Sequence, residues 1–251
     1  MKSFEDQCVV VTGSATGIGE ACAIELAKEG ANVVIMDFNK QGAEDVHQKI
    51  KAFGGKSIVA VADLNSWEAT QSKIDEIAKS EKAIHALIHS AGGFPNYVNL
   101  LDCPIDAWDS VVNSNLRSMF FLLKAVAPHM IKQQYGRFVS VSSMAARSGT
   151  NPNPPHYTAA KGGMLALTRQ AAKDLGPYGI TVNAVAPANV ATPRTNAIRS
   201  PERIAHIQKS TPVGRLAEPE EIANAIIFLA SRKASYVTGI TMDVNGGATM
   251  I

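Results

Sequence analysis

Short apolar runs rich in β-branched residues alternate with stretches of helical periodicity along the whole chain. No other feature constrains the fold as tightly. Cys8–Val11, Val33–Met36, Ser57–Val61, Ile84–Ile88, Gly136–Val141, Gly179–Val185 and Ile240–Val244 predict strands. A helix is expected after the first strand, with Ile18, Ala21, Cys22 and Leu26 at helical spacing and an end near Gly30. Further helices are expected from Gln41 to Phe53, Trp67 to Lys79, Ile105 to Ile131, through Tyr157 and Lys161 to Leu175, and from Pro219 to Leu229. Strands apolar throughout and separated by helices predict a parallel sheet covered on both faces. The expectation is an α/β fold: a single doubly wound domain over residues 1–251 with about seven strands, since no Pro/Gly/Ser linker divides the chain. The longest irregular stretch, Pro187 to about Ser200, reads as part of a substrate lid at about 188–212.

Composition narrows the function classes. Hydrophobic residues make up 46% and charged residues 18%, the balance of a globular chain. The formal net charge is +2 without a dense Lys or Arg run, so no nucleic-acid footprint and no polybasic membrane patch is expected. No apolar run is long enough to span a bilayer, and the polar, acidic start is no secretory signal. Cys8, Cys22 and Cys103 are odd in number, with no Cys-x-x-Cys. That pattern suits a reducing, cytoplasmic setting and no metal site.

The turn after the first strand is Thr12-Gly13-Ser14-Ala15-Thr16-Gly17-Ile18-Gly19. Glycines between a strand and a helix let a pyrophosphate approach backbone N–H groups at the helix N-terminus, which makes the expected fold a Rossmann-type one. Asp37 ends the second strand, where a carboxylate can accept both ribose hydroxyls of an adenosine and would repel a 2′-phosphate. Asn39 is at hand to cap the next helix in its place. Thr16 and Phe38 are neutral, so no cation waits for a 2′-phosphate. NAD is predicted over NADP. Asp63, at the end of the third strand, is a candidate for the adenine amine, because Asn65 and Ser66 supply cap residues for the helix that follows.

Tyr157 and Lys161 lie one helical turn apart in Tyr157-Thr158-Ala159-Ala160-Lys161. An ammonium near a phenol favours the phenolate and makes it a usable proton donor and acceptor. A pair of this kind also arises on any solvated helix, so its meaning depends on the glycine turn upstream.

Taken in order, these features are similar to those of the short-chain dehydrogenase/reductase family, in its branch of about 250 residues. The matching motifs are the glycine turn, Asp63-Leu64, Ser90-Ala91-Gly92, Asn115, Ser142-Ser143, Tyr157-x-x-x-Lys161 and Val185-Ala186-Pro187. Gly214-Arg215, Pro219-Glu220-Glu221-Ile222-Ala223, Tyr236-Val237-Thr238-Gly239 and Asp243-Val244-Asn245-Gly246-Gly247 follow. The resemblance implies a catalytic tetrad of Asn115, Ser143, Tyr157 and Lys161. It implies that Asn115 bends its helix and holds a water linked to the lysine, that Ser143 holds the substrate oxygen, and that Lys161 also binds the nicotinamide ribose. It assigns to the cofactor Gly13, Ala15, Thr16, Gly17, Ile18 and Gly19, then Asp37 and Phe38, Asp63 and Leu64, and Ser90, Ala91 and Gly92. Tyr157, Lys161, Pro187, Val190 and Thr192 complete that set, Val190 through its backbone and Thr192 through its hydroxyl. The resemblance implies Ser143 rather than Ser142, because the family has its catalytic serine directly before a small apolar triplet, here Met144-Ala145-Ala146. Two departures stand out: His89-Ser90-Ala91-Gly92 for the usual Asn-Asn-Ala-Gly, and Pro187-Ala188 for the usual Pro-Gly. His89 reads as a packed strand-end residue.

The predicted activity is hydride transfer between NAD(H) and a secondary alcohol or ketone of small or medium size. The alternative is a 3-oxoacyl-[acyl-carrier-protein] reductase-like enzyme using NADP(H). A non-catalytic dinucleotide sensor ranks behind both, because all four tetrad residues are present. The family's carrier-binding arginines would fall where Gln134, Tyr135 and Tyr178 stand. Arg194 and Arg199 in the lid are candidates for a substrate anion, and Asn151-Pro152-Asn153-Pro154-Pro155 for shaping the pocket. The expected partner is a small-molecule substrate, and the resemblance implies a homotetramer with the C-terminal segment buried at an interface.

Overall fold

The computed structural model describes residues 2–149 and 153–250. Seven parallel strands form one sheet in the order β3-β2-β1-β4-β5-β6-β7. They are β1 (Cys8–Thr12), β2 (Asn32–Asp37), β3 (Lys56–Val61), β4 (Ala86–His89), β5 (Gly136–Val141), β6 (Ile180–Pro187) and β7 (Thr241–Val244). The strand order reverses beside β1, and the crevice at the C-terminal ends of β1 and β4 is where such a sheet takes a ligand.

Alternate side chains of each strand serve opposite faces. Val9, Val11, Val33 and Ile35 pack with α1 (Gly17–Lys28), α2 (Lys40–Ala52) and, late in the chain, α9 (Pro219–Ala230), through Leu26, Val46, Ile50, Ile222 and Ile226. Cys8, Val10, Val34 and Met36 face α3 (Trp67–Ser80), α5 (Ser118–Gln133) and α6 (Pro155–Leu175), through Ile74, Leu122 and Met164. The sheet is thus buried on both sides, as its uniformly apolar strands require.

Two elements differ from the expectation. The helix anticipated over 105–131 comes in three pieces: α4 (Ile105–Val112), a π-helical turn (Asn113–Arg117) and α5. Asn115 Nδ2 donates to the Val111 carbonyl (2.8 Å), and Ser118 Oγ to the Ser114 carbonyl (2.9 Å). Side chains that compete for helical carbonyls accommodate the extra residue of a π turn. The stretch read as irregular holds two short helices, α7 (Pro193–Ile198) and α8 (Pro201–Ser210). Each begins with a capping hydroxyl, Thr192 or Ser200, followed by proline at the first helical position. Proline is helix-compatible there because its missing N–H would have no intrahelical partner. Asn151 and Pro152 of the proline-rich loop lie outside the described residues.

Candidate active site

One cavity of about 630 Å³ runs across the C-terminal ends of β1, β2, β4 and β5. At one end stands the glycine turn. Gly13 (φ +64°) donates to the Met36 carbonyl at 2.9 Å, and a Cβ there would come within 2.6 Å of the Ala91 backbone. A Cβ on Gly19 would collide with the Gly13 carbonyl. Thr16, at the N-cap of α1, makes no side-chain bond to the helix. The first-turn N–H groups of Gly17, Ile18 and Gly19 therefore face an open cradle suited to a diphosphate.

Asp37 closes the adenosine side. Its two carboxylate oxygens accept the N–H of Ala15 (3.0 Å) and of Asn39 (2.9 Å), which fix their direction. Asn39, not Asp37, caps α2, accepting from Gly42 N at 3.1 Å. Asp63 accepts from Asn65 N and Nδ2, while Ser66 caps α3. Phe38 is exposed beside Asp37, and both carboxylates line the cavity. The cradle and its acid fit the adenosine half of a nicotinamide dinucleotide.

In the middle, a buried polar chain ties β1 to the π turn. The Ala91 N–H reaches Thr12 Oγ1 (3.4 Å), which lies 3.0 Å from His89 Nδ1. His89 Nε2 is 3.2 Å from the Asn115 carbonyl. That carbonyl can only accept, so the His89 proton sits on Nε2, and the Thr12 hydroxyl donates to Nδ1. Burial first, and the Lys161 charge next, push His89 down to about 3, so the ring stays neutral. Asn115 is fully buried, and its side chain is turned to the Gly92-Gly93 loop. Nδ2 donates to the Gly93 carbonyl (2.8 Å) as well as to Val111, and Oδ1 accepts from the Gly93 N–H (2.9 Å). Asn115 stands inside the π-helical turn between α4 and α5. Its amide protons go to the backbone carbonyls of Gly93 and Val111.

The reactive end is built on β5 and α6. Ser142 Oγ donates to the Lys161 backbone carbonyl (2.9 Å) inside the protein. Ser143, one residue on, caps the short 3₁₀ turn Met144–Ala146 and hydrogen-bonds the Tyr157 hydroxyl. Lys161 Nζ donates to the Val141 carbonyl (2.7 Å) and lies 5.6 Å from the Tyr157 ring centroid. Burial pushes the Tyr157 phenol up, and the Ser143 hydrogen bond and the Arg194 charge act against that rise. Burial pushes Lys161 down to about 7, with Arg194 adding repulsion. The Arg194 charge thus adds to that of Lys161, whose ammonium stands beside the phenol ring. The lysine faces a strand-end carbonyl, and both groups compete with desolvation. Phe94 stacks beside Tyr157, with ring centroids 4.7 Å apart.

Ser90, Ala91, Gly92, Pro187, Val190 and Thr192 all line the cavity. Thr192 approaches the turn closely: a Cβ on Gly17 would meet its methyl at 3.2 Å. Its hydroxyl is engaged by the cap of α7, accepting from Thr195 N (3.2 Å) and pairing with Thr195 Oγ1 (2.9 Å). The Val190 carbonyl is likewise taken, by Thr195 Oγ1 (2.7 Å) and Arg199 Nη1 (3.1 Å).

The family model described as enoyl-(acyl carrier protein) reductase matches residues 13–249. The chain belongs to the short-chain dehydrogenase/reductase family. Among its relatives, the 3-oxoacyl-[acyl-carrier-protein] reductase FabG of Staphylococcus epidermidis is 35% identical over 98% of this chain and 100% of its own length. FabG of Thermotoga maritima is 34% identical over 97% and 98%. A 3-oxoacyl-[acyl-carrier protein] reductase from Brucella melitensis, solved with bound NAD, superposes with a TM-score of 0.92 at 32% identity, covering 100% of this chain and 94% of that one. Levodione reductase superposes with a TM-score of 0.93 at 29% identity over 97% and 98%.

Within this short-chain dehydrogenase/reductase, several site residues carry weak signals in the sequence. Thr12 acts through a position that only the fold brings near His89. Gly93, which the sequence offers as the start of a loop (Gly93-Phe94-Pro95-Asn96-Tyr97) expected to close on the substrate, holds Asn115 through both its backbone groups. Arg194 is a lid charge in the sequence and a neighbour of Tyr157 and Lys161 in the structure.

Proposed function

We propose that this oxidoreductase interconverts a 3-oxoacyl-type ketone and its 3-hydroxy alcohol, with NAD(H) as the hydride carrier. The observation that carries the reading is the Ser143–Tyr157 hydrogen bond at one end of a cavity whose other end is the glycine cradle and Asp37. The relatives' names favour a 3-oxoacyl substrate over the broader class of secondary alcohols and ketones. Asp37, with its carboxylate aimed by two N–H groups, supports NAD over NADP. A structural relative bearing the 3-oxoacyl reductase name was solved with NAD, so that pairing has a precedent within the family.

When bound, the dinucleotide supplies the hydride that goes to the ketone carbon. The α1 N-terminus with Gly13, Gly17 and Gly19 would hold its diphosphate, and Asp37 its adenosine ribose. Ser143 Oγ and the Tyr157 hydroxyl meet at one point, where a ketone oxygen would accept from both. Tyr157 donates its proton to that oxygen in reduction and recovers it in oxidation. Lys161, fixed on Val141 behind the phenol, replenishes the proton, and Asn115 holds the Gly92-Gly93 wall in place. The segment at about 188–212 serves as the lid. Exposed apolar residues in two regions, Leu100, Leu101, Ile105, Trp108 and Phe120 near α4 and α5, and Phe228, Tyr236, Ile240 and Met250 near α9 and β7, support a homotetramer with two kinds of interface. No helix among the described residues is long and apolar enough to cross a membrane.

The test is cofactor oxidation by absorbance, with NADH and with NADPH, on a 3-oxobutanoyl thioester of N-acetylcysteamine, on 3-oxobutanoate and on a plain cyclic ketone. The 3-oxo compounds should react faster than the plain ketone, and NADH at least about tenfold more efficiently than NADPH. Turnover of the plain ketone alone, or a preference for NADPH, would contradict the proposal.

A further inference from the structure

The cavity is electrically polarised along its length. Its lining carboxylates, Asp37 and Asp63, both stand at the adenosine end, and its lining cations, Lys161, Arg194 and Arg199, at the reactive end. Lys161 is used by Val141 and Tyr157. Arg199 is half-buried, anchored to the Val190 carbonyl (3.1 Å) and to Asn189 Oδ1 (3.2 Å). Arg194 has no such account. Among the described residues it pairs with no carboxylate, and its hydrogen bond is a long one to the Gly92 carbonyl, at 3.4 Å.

The seat of Arg194 is nevertheless built. Its guanidinium lies 6.0 Å from the centroid of Phe94, the ring that stacks on Tyr157. A Cβ on Gly93 would collide with that guanidinium, so the glycine, at φ +137°, is what admits it. Gly93 is itself clamped through both backbone groups by Asn115. Arg194 is exposed to solvent, yet its guanidinium occupies the space that only a glycine at position 93 leaves open. The position also separates Arg194 from the diphosphate cradle: it stands over Phe94, on the Tyr157 side, whereas the cradle lies at Gly17 against Thr192.

We propose that Arg194 is the receptor for a carboxylate on the substrate itself, close along the chain to the reacting ketone. The substrate class is then a free short-chain 3-oxo acid and its 3-hydroxy acid, rather than the thioester. A thioester carbonyl offers the guanidinium no charge, while a carboxylate forms a charge-assisted, bidentate pair with it. Arg199 adds positive potential at the same end of the cavity. This inference rests on the 3-oxo reading above and narrows it.

The experiment compares 3-oxobutanoate, its methyl ester and its N-acetylcysteamine thioester on the wild type, Arg194→Gln and Arg194→Lys. In the wild type, kcat/KM for the acid should exceed that for the ester by about 30-fold, the range of a hydrogen-bonded charge pair. Arg194→Gln should bring the ratio near parity, and Arg194→Lys should restore part of it. A second readout needs no turnover: malonate added to the enzyme–NADH complex should change NADH fluorescence saturably in the wild type and not in Arg194→Gln, with dimethyl malonate inert in both. An ester or thioester that reacts as well as the acid, together with no malonate binding, would overturn the inference. So would an Arg194→Gln variant that weakens NADH binding while keeping the acid-to-ester ratio, since Arg194 would then serve the cofactor. If no ketone is turned over, the proposed function falls, yet malonate binding that depends on Arg194 would still support the anion receptor.

Discussion

At His89 a neutral imidazole is locked between Thr12 and the Asn115 carbonyl, fully buried, with its pKa near 3. The folded pKa lies below the unfolded one, so between about pH 6.5 and 3 the unfolded chain binds the extra proton. Stability falls as pH drops through that window. His89→Asn, which removes the titration, should show a shallower loss of Tm from pH 6.5 to 4 than the wild type; parallel curves would mean that His89 is not held neutral. Asp37→Ser removes the charge facing a 2′-phosphate. It should raise the NADPH-to-NADH ratio of kcat/KM by about tenfold or more, read with either cofactor on one ketone. Ser143 and Ser142 differ physically: the first caps a turn and hydrogen-bonds Tyr157, and the second bonds the α6 backbone. The part of Arg194 beside Tyr157 was not legible, because Arg194 reaches it across the fold from a helix read as loop.

Among the elements, the π turn between α4 and α5 has the largest consequence for the site. It turns Asn115 onto Gly93, and that contact seats the loop beside Tyr157. Asn115→Leu leaves both Gly93 backbone groups and the Val111 carbonyl without this partner. It should cost about 2–4 kcal/mol by urea denaturation, and hydrogen exchange at the Gly93 amide should quicken. An unchanged Gly93 exchange rate would contradict the clamp. Strands and most helices were legible because burial on both sheet faces writes itself as apolar runs. The π turn was not, since one inserted residue barely disturbs an apolar stripe. The helices α7 and α8 were hidden by prolines that suggest a loop, although proline after Thr or Ser also opens a helix.

For the molecule as a whole, the sheet brings Ser143, Tyr157 and Lys161 to one end of a single cavity and the glycine turn with Asp37 to the other. The order of motifs along the chain made that legible; the polarity of the cavity, acids at one end and cations at the other, needed the fold. Lys161 sits between the two ends with its ammonium pushed down to about 7. Between that value and its unfolded value near 10.4 the unfolded chain binds more protons, so this lysine destabilises the cofactor-free protein most below pH 7 and progressively less as pH rises. The stability of Lys161→Met relative to the wild type should therefore decline from pH 6.5 to 9. Sedimentation should give a tetramer, and Leu101→Asp, at a side chain 96% exposed in the single chain, should dissociate it if the region near α4 and α5 is an interface. The central claim is that Tyr157 delivers the proton while the fold holds the hydride carrier, and Tyr157→Phe tests it most directly. With wild type and variant compared for NADH binding and for NADH oxidation by a 3-oxo substrate, turnover should fall at least about 10²-fold and NADH affinity should change little. Turnover that survives the loss of the hydroxyl would contradict the account.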